Sequence, residues 1–205
     1  MEHSIAALMT ILRNKQTPID QFRASAHQLA LILAHEATAY LPIKPTAITT
    51  PLEAPFTGTT WATSITLVPI LRSGLALLPA FLEYFPTANV GVVGLKRDEQ
   101  TAIAHWYYKN IPPIPIDSTV IILDPMIATG GSAVATLDML ANLGIKDTNM
   151  LFVGIISSQE GVNTVKQAYP NLTIITADCD PALNQAKYIV PGLGDFGDRY
   201  FGTLN

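Results

Sequence analysis

The sequence predicts an α/β fold built on a doubly wound, mainly parallel sheet, with an N-terminal helical arm. Three observations carry this expectation. Apolar, β-branched runs alternate with stretches of helical periodicity along most of the chain. The runs beginning at Thr119 and Asn149 are apolar throughout, as strands buried in a sheet are. Two runs also end in a charged residue, then a short loop of small residues, then a helical pattern: Leu71-Arg72-Ser73-Gly74 and Leu123-Asp124 through Ser132. Ligands on sheets of this kind sit beyond the carboxyl ends of the strands. Arg72, Asp124 and Thr129 each lie just past a strand, so all three are expected to face one crevice.

Taken in order, Ser4 to Leu12 reads as a short helix, and Phe22 to Tyr40 as a long one with Leu29, Ile32, Leu33 and Glu36 at helical spacing. Arg13, Lys15 and Arg23 read as solvated helix ends. Leu41 to Gly58 carries Pro42, Pro45, Pro51 and Pro55, which exclude a helix and leave short edge strands or an arm suited to packing on a partner subunit. Ser64 to Leu71 is a strand, and Leu75 to Glu83 is the helix after it. Asn89 to Leu95 is a third strand, followed by the mixed-charge run Lys96 to Thr101 and by a strand and turn with alternating aromatics from Ile103 to Pro113. His105 and Trp106 in that run read as packing residues. After the strand ending at Asp124, the residues Val134, Leu137, Leu140 and Ala141 mark a helix that Gly144 ends. A buried strand from Asn149 to Ile156, a helix to Tyr169 and a strand from Pro170 to Ala177 complete the alternation. The tail from Tyr188 to Thr203, with glycines at 192, 194, 197 and 202, resembles neither a helix nor a regular strand.

Length and composition narrow the classes. The 205 residues fit one domain, 1–205, with a sizeable core. Hydrophobic residues make up 49% and charged residues only 14%, an excess that suggests burial between subunits of a homodimer or higher homo-oligomer. The net charge of −4 and the lack of a long basic run argue against a nucleic-acid partner. A single cysteine, Cys179, excludes an intrachain disulfide framework and fits a reducing, cytoplasmic location. Met1-Glu2-His3-Ser4 has no basic signal region, and no apolar run reaches the roughly 18 residues of a membrane span.

The stretch from Asp124 to Ser132 carries the chemistry. A helix start leaves backbone N–H groups unpaired at its positive dipole end. Gly130 and Gly131 let the backbone wrap closely around an anion, and Thr129 and Ser132 add hydroxyl donors. Gly-Gly-Ser before a helix is also a common turn and N-cap, and neither a Walker A loop nor a G-x-G-x-x-G fingerprint is present. A carboxylate at a strand end beside a phosphate loop can accept bonds from two vicinal hydroxyls. Ribose 5-phosphate presents both features on one molecule.

Asp124-Pro-Met-Ile-Ala-Thr-Gly-Gly-Ser132 resembles the phosphoribosyl-diphosphate loop of the type I phosphoribosyltransferases, in the form used by the uracil phosphoribosyltransferases. The match runs from about Arg13 to Thr203. It implies the type I phosphoribosyltransferase fold with a flexible hood loop, and transfer of phosphoribose from 5-phospho-α-D-ribose 1-diphosphate (PRPP) to uracil, giving UMP and diphosphate. It implies that Asp124, Pro125, Met126, Ile127, Ala128, Thr129, Gly130, Gly131 and Ser132 bind PRPP, Asp124 holding the ribose hydroxyls. Arg72 and Arg97 would hold the diphosphate, and Ser73 replaces the family's commoner alanine. Gln100 stands where the family often has Glu. Most type I relatives have two adjacent acids where this chain has Asp124 and Pro125. Mg2+ would therefore bind through diphosphate and water, with no direct protein ligand. The glycine-rich tail resembles the family's base-recognition segment, so Ile189, Gly194, Asp195 and Phe196 would surround uracil, Asp195 also facing PRPP. Phe196 departs from the small residue usual there, which bears on pocket shape. GTP enters as an effector that the resemblance admits; oligomer size and GTP activation stay open. Two other readings remain: a phosphoribosyltransferase for a purine, orotate or xanthine, which the tail argues against, and a non-catalytic regulator of the same fold that binds the donor or RNA.

Overall fold

The computed structural model describes residues 2–97 and 104–203. In chain order the elements are α1 (Glu2–Arg13), α2 (Ile19–Ala37), β1 (Ile43–Thr49), β2 (Pro55–Trp61), β3 (Ile65–Leu71), α3 (Leu78–Tyr84), β4 (Asn89–Val90), β5 (Val92–Arg97), β6 (Ala104–Asn110), β7 (Thr119–Leu123), β8 (Met126–Ile127), α4 (Gly131–Asn142), β9 (Met150–Ser158), α5 (Gln159–Ala168), β10 (Thr173–Asp180), β11 (Ala182–Leu183), β12 (Ile189–Val190) and α6 (Phe196–Phe201).

The central sheet has the order β10-β9-β7-β3-β5-β6, with β4 on β3 and β8 on β9. Pairing is parallel throughout except between β5 and β6. The chain runs outward from β3 to β5 and β6, then returns to β7 on the other side of β3. That reversal makes the carboxyl ends of β3 and β7 a topological switch point, the place where such sheets open a crevice for ligands.

The side chains explain the layers. Successive residues of a strand face opposite sides. In β7, Ile121 and Leu123 enter one apolar cluster while Val120 and Ile122 enter the other. In β9, Leu151, Val153 and Ile155 take the first cluster, and Met150 and Phe152 the second. The first cluster is covered by α1, α2, α3 and Phe196 of α6, the second by α4 and α5. Covering both faces is what the continuous apolar runs require. Phe22, Ala26, Leu29, Ala30, Leu33, Ala34 and Ala37 form the buried stripe of α2. Fully burying one such Leu or Phe contributes roughly 1.5–3 kcal/mol.

Several boundaries differ from expectation, each for a local reason. Helix α2 starts at Ile19 because Pro18 fixes the preceding turn, and it gives way to a 3-10 turn at Thr38–Tyr40. Ser73–Ala76 is a 3-10 turn, so the α-helix after the Arg72 loop begins only at Leu78, with proline in its first turn. Strand β10 runs on to Asp180, three residues past Ala177. The tail does contain a helix, contrary to expectation. Phe196–Phe201 winds into α6 because the Asp195 carboxylate caps its start, accepting from the Asp198 N–H at 2.8 Å, while Gly202 ends it at φ 74°. The expected arm is an antiparallel hairpin of β1 and β2, with Ile43, Ile48, Phe56 and Trp61 exposed. The hood resemblance falls in part on residues 98–103, Gln100 included, which lie outside the described residues; β5 and β6 on either side pair antiparallel.

Candidate active site

The loop after β7 forms a recess of ≈ 90 Å³ lined by Asp124, Met126, Ile127, Ala128, Thr129, Gly130, Gly131, Ser132 and Ala133. Helix α4 begins at Gly131 and directs its unpaired first-turn N–H groups toward this loop. Gly130 sits at φ 81°, and a Cβ there would lie 2.7 Å from the Gly161 carbonyl. Both the left-handed backbone and the close approach of α5 therefore require glycine. The loop is braced from the same side by Ser158. Its hydroxyl donates to the Ala128 carbonyl at 2.5 Å and accepts from the Gly161 N–H at 2.9 Å, capping α5. Pro125 is buried and its carbonyl accepts from the N–H groups of Ile155 and Ile156, both at 2.9 Å. Pro125 thus ties the loop to β9 through its carbonyl.

Asp124 lies at the mouth of the recess, partly exposed. Its carboxyl is enclosed by protein, and that burial pushes its pKa up to about 7 from an ordinary 3.8, the Met126 N–H pulling weakly the other way. Among the described residues no charged partner offsets the burial. Among the described residues no group of three or more His, Cys, Asp or Glu could form a cation cage. An acid here suits a cation that brings most of its own oxygen ligands.

Arg72 begins the loop after β3 and follows a cis Leu71–Arg72 peptide. Gly74 two residues on touches β7: a Cβ there would lie 2.2 Å from the Leu123 carbonyl. That contact places the Arg72 loop directly against the strand that carries Asp124. The Arg72 guanidinium is half exposed, donates to the Asp198 carboxylate at 2.8 Å and stacks 5.1 Å from the Phe201 ring. The Thr203 hydroxyl and then Arg72 hold Asp198 below the usual carboxylate range. Arg97 ends β5, a parallel neighbour of β3, but its side chain lies outside the described residues.

The tail residues divide by role. Gly194 and Asp195 are exposed, whereas Ile189 is buried in the core. The side chain of Phe196 is fully buried, 5.3 Å from the Phe22 ring and 5.6 Å from that of Tyr200. Its ring is therefore core packing, and the part of this residue left to face a base is its backbone. The Arg72 loop thus touches both sides: β7 through Gly74 and Leu123, and the tail through Asp198 and Gly197. Sequence reading missed Ser158, Gly161 and Asp198. Ser158 carried an N-cap signal ahead of Gln159-Glu160, but its reach to Ala128 spans 30 positions.

The arrangement can hold a phosphate at backbone amides, offer a carboxylate to hydroxyls beside it, and present a cation nearby. The family model described as "Uracil phosphoribosyltransferase" matches residues 1–203. A uracil phosphoribosyltransferase of Roseiflexus castenholzii is 45% identical over 195 residues, covering 95% of this chain and 92% of the relative. One from Limosilactobacillus fermentum is 36% identical over the same length and shares. Among solved structures, a protein of Aquifex aeolicus superposes with a TM-score of 0.86 at 31% identity, covering 96% of this chain and 93% of the other. An adenine phosphoribosyltransferase from Trypanosoma brucei shares the fold at a TM-score of 0.56 and 13% identity, covering 82% of this chain and 70% of the other. With a family model matched from end to end and relatives this similar over nearly their full length, the chain belongs to the uracil phosphoribosyltransferase family.

Proposed function

We propose that the protein transfers the phosphoribosyl group of PRPP to N1 of uracil, releasing UMP and diphosphate. What supports this reading is a pair of unlike surfaces linked through the Arg72 loop, which meets β7 at Gly74 and the tail at Asp198. One is an amide-lined phosphate recess with a carboxylate at its mouth, and the other a glycine-rich turn whose exposed backbone suits a base edge. Whole-chain family membership supports it and gives no support to the donor- or RNA-binding regulator.

In this reading the loop from Ala128 to Ser132 grips the 5′-phosphate, and Asp124 accepts bonds from the ribose hydroxyls. The C1′–diphosphate bond breaks as positive charge develops on the ribose ring, and N1 of uracil forms the new bond, its proton passing to solvent. The chain supplies no nucleophile; it holds the reactants in line. Arg72 pairs with oxygens of the leaving diphosphate, which requires its guanidinium to share or exchange Asp198; Arg97 belongs to the same role. Mg2+, when bound on the diphosphate, neutralises charge on that group. Asp124 and Asp195 would hold its water shell. Backbone groups from Ile189 to Phe196 read the two carbonyls and N–H groups of uracil.

Residues 1–205 are read as one domain, and the exposed apolar side chains of the β1–β2 hairpin support a homodimer or higher homo-oligomer. GTP is retained as an effector. No helix among the described residues is long and apolar enough to cross a membrane, and the single exposed Cys179 suits the cytoplasm. The test is UMP formation from uracil and PRPP with and without Mg2+ and GTP, with purines, orotate and xanthine as competing bases, alongside sedimentation. Turnover of another base in preference to uracil would overturn the reading, and a monomer at working concentration would overturn the oligomer.

A further inference from the structure

We propose that Arg13, the last residue of α1, is a positioning residue for base recognition. With Asp180 it clamps Gly192 and so fixes the shape of the segment from Ile189 to Gly194. The inference rests on the uracil reading of that segment.

Backbone readout needs a rigid backbone, and this segment has little regular structure to supply rigidity. Its only ladder is the two-residue pairing of β11 with β12, after which come Pro191, Gly192 at φ 62° and Gly194 at φ 81°. Both backbone polar groups of Gly192 are instead taken by one ion pair. Its N–H donates to Asp180 Oδ2 at 2.7 Å, and its carbonyl accepts from Arg13 Nη1 at 2.8 Å. The Arg13 fork closes the ring on both oxygens of Asp180, at 2.8 and 2.7 Å, and reaches Asp178 at 2.7 Å. Asp180 is only 4% exposed, so the pair is shielded from screening by salt. A Cβ at position 192 would lie 2.1 Å from the Ile189 carbonyl, so the clamped residue is also pressed onto the first residue of the segment.

A second guanidinium extends the strap. Arg199 donates to the Leu193 carbonyl at 2.6 Å, to that of Asn14 at 2.7 Å and to that of Leu12, and lies 4.3 Å from the centre of the Phe22 ring. The carbonyls of residues 192 and 193 are thus both held by arginines that also bind the end of α1 or β10. A general anchor for the chain end would grip α6. Arg13 instead converges on the residue between Ile189 and Gly194.

The experiment measures kcat and the separate KM values for uracil and PRPP in the full-length protein, for wild type, Arg13→Gln, Arg13→Lys and Asp180→Asn, with thermal unfolding of each. Losing charge-assisted bonds to the segment should raise the uracil KM of Arg13→Gln about tenfold or more. The PRPP KM should stay within about twofold, because the donor loop is untouched. Arg13→Lys should fall between, since an ammonium cannot span both Asp180 and Gly192. Where Arg13→Gln fails to fold, Arg13→Lys and Asp180→Asn carry the same comparison. Equal rises in both KM values, or no rise in the uracil KM, would overturn the clamp alone. A wild type that forms no UMP would overturn the parent reading instead.

Discussion

The loop from Asp124 to Ser132 takes its shape from near neighbours, whereas the tail from Ile189 to Arg199 takes its shape from distant residues. The loop lies between a strand and a helix contiguous with it, and its brace from Ser158 comes from 30 positions away. The tail is held by bonds that span 126 positions from Arg72, 179 from Arg13 and 187 from Arg199 to Leu12. A phosphate can be bound by a feature that every strand–loop–helix unit offers, the amide-rich helix start. Reading a base needs a surface with a shape of its own, and a short glycine-rich segment acquires one only by being tied to the rest of the fold. The difference teaches that the two halves of the crevice should respond to different perturbations.

The largest effect is expected at Asp124. Asp124→Asn keeps the shape but removes the acceptor charge for the ribose hydroxyls, so kcat/KM for PRPP should fall by about 10²–10³-fold, the scale of losing one electrostatic contact in a transition state. Steady-state kinetics at saturating uracil checks this, and near-normal turnover would remove Asp124 from its role. The same change should stabilise the protein above neutral pH. Burial raises this carboxyl from 3.8 to about 7, so the folded state holds its proton more tightly than the unfolded state. Its contribution is full below pH 3.8, declines as pH rises toward about 7 and is lost above. A tenfold difference in proton affinity corresponds to ~1.4 kcal/mol, and partial exposure discounts the sum, so Asp124→Asn should gain about 1–3 kcal/mol at pH 8 and nothing at pH 4. Denaturant unfolding at the two pH values decides it. A loss of stability at pH 8 would mean that the carboxylate is not held under strain.

How legible each half was follows from the same contrast. The order of strands and helices could be read because β3, β7 and β9 are apolar runs with helical periodicity between them. The recess was readable for the same reason: all nine residues that line it fall between Asp124 and Ala133. Asp124's raised pKa was not, since it depends on what encloses the carboxyl and not on its neighbours in sequence. Phe196 shows the same dependence. The resemblance set it beside uracil, and where its ring lies follows only from packing against Phe22, 174 positions earlier, in the core. Arg13 looked like a solvated helix end because nothing near it in sequence is acidic; its partners arrive only when β10 extends to Asp180.

A smaller effect is expected from Gly130→Ala. A side chain there meets both the left-handed backbone and the Gly161 carbonyl, so the loop must shift at a cost of about 1–3 kcal/mol. The PRPP KM should rise roughly tenfold while the uracil KM, measured at saturating PRPP, holds within about twofold. This is the mirror image of the split expected for Arg13, and a rise in both constants would show that the two halves are not independent.

The smallest effect belongs to Asp198→Asn, where the tail meets the Arg72 loop. The Arg72–Asp198 pair is exposed on both sides, 47% and 37%, so solvent screens it and its loss should leave the unfolding midpoint nearly unchanged. The sign of the functional consequence separates two roles for Asp198. If Arg72 must turn from Asp198 to the diphosphate, releasing it should lower the PRPP KM by a few-fold, on the order of the modest strength of an exposed pair. If Asp198 instead aims Arg72 at the diphosphate, the KM should rise. Either change should fade as ionic strength increases, because an exposed pair is screened at a Debye length of about 3 Å in 1 M salt. A shift that persisted there would mean that the tail and the Arg72 loop are coupled through packing, with Phe201 against the guanidinium at 5.1 Å as the contact to alter next.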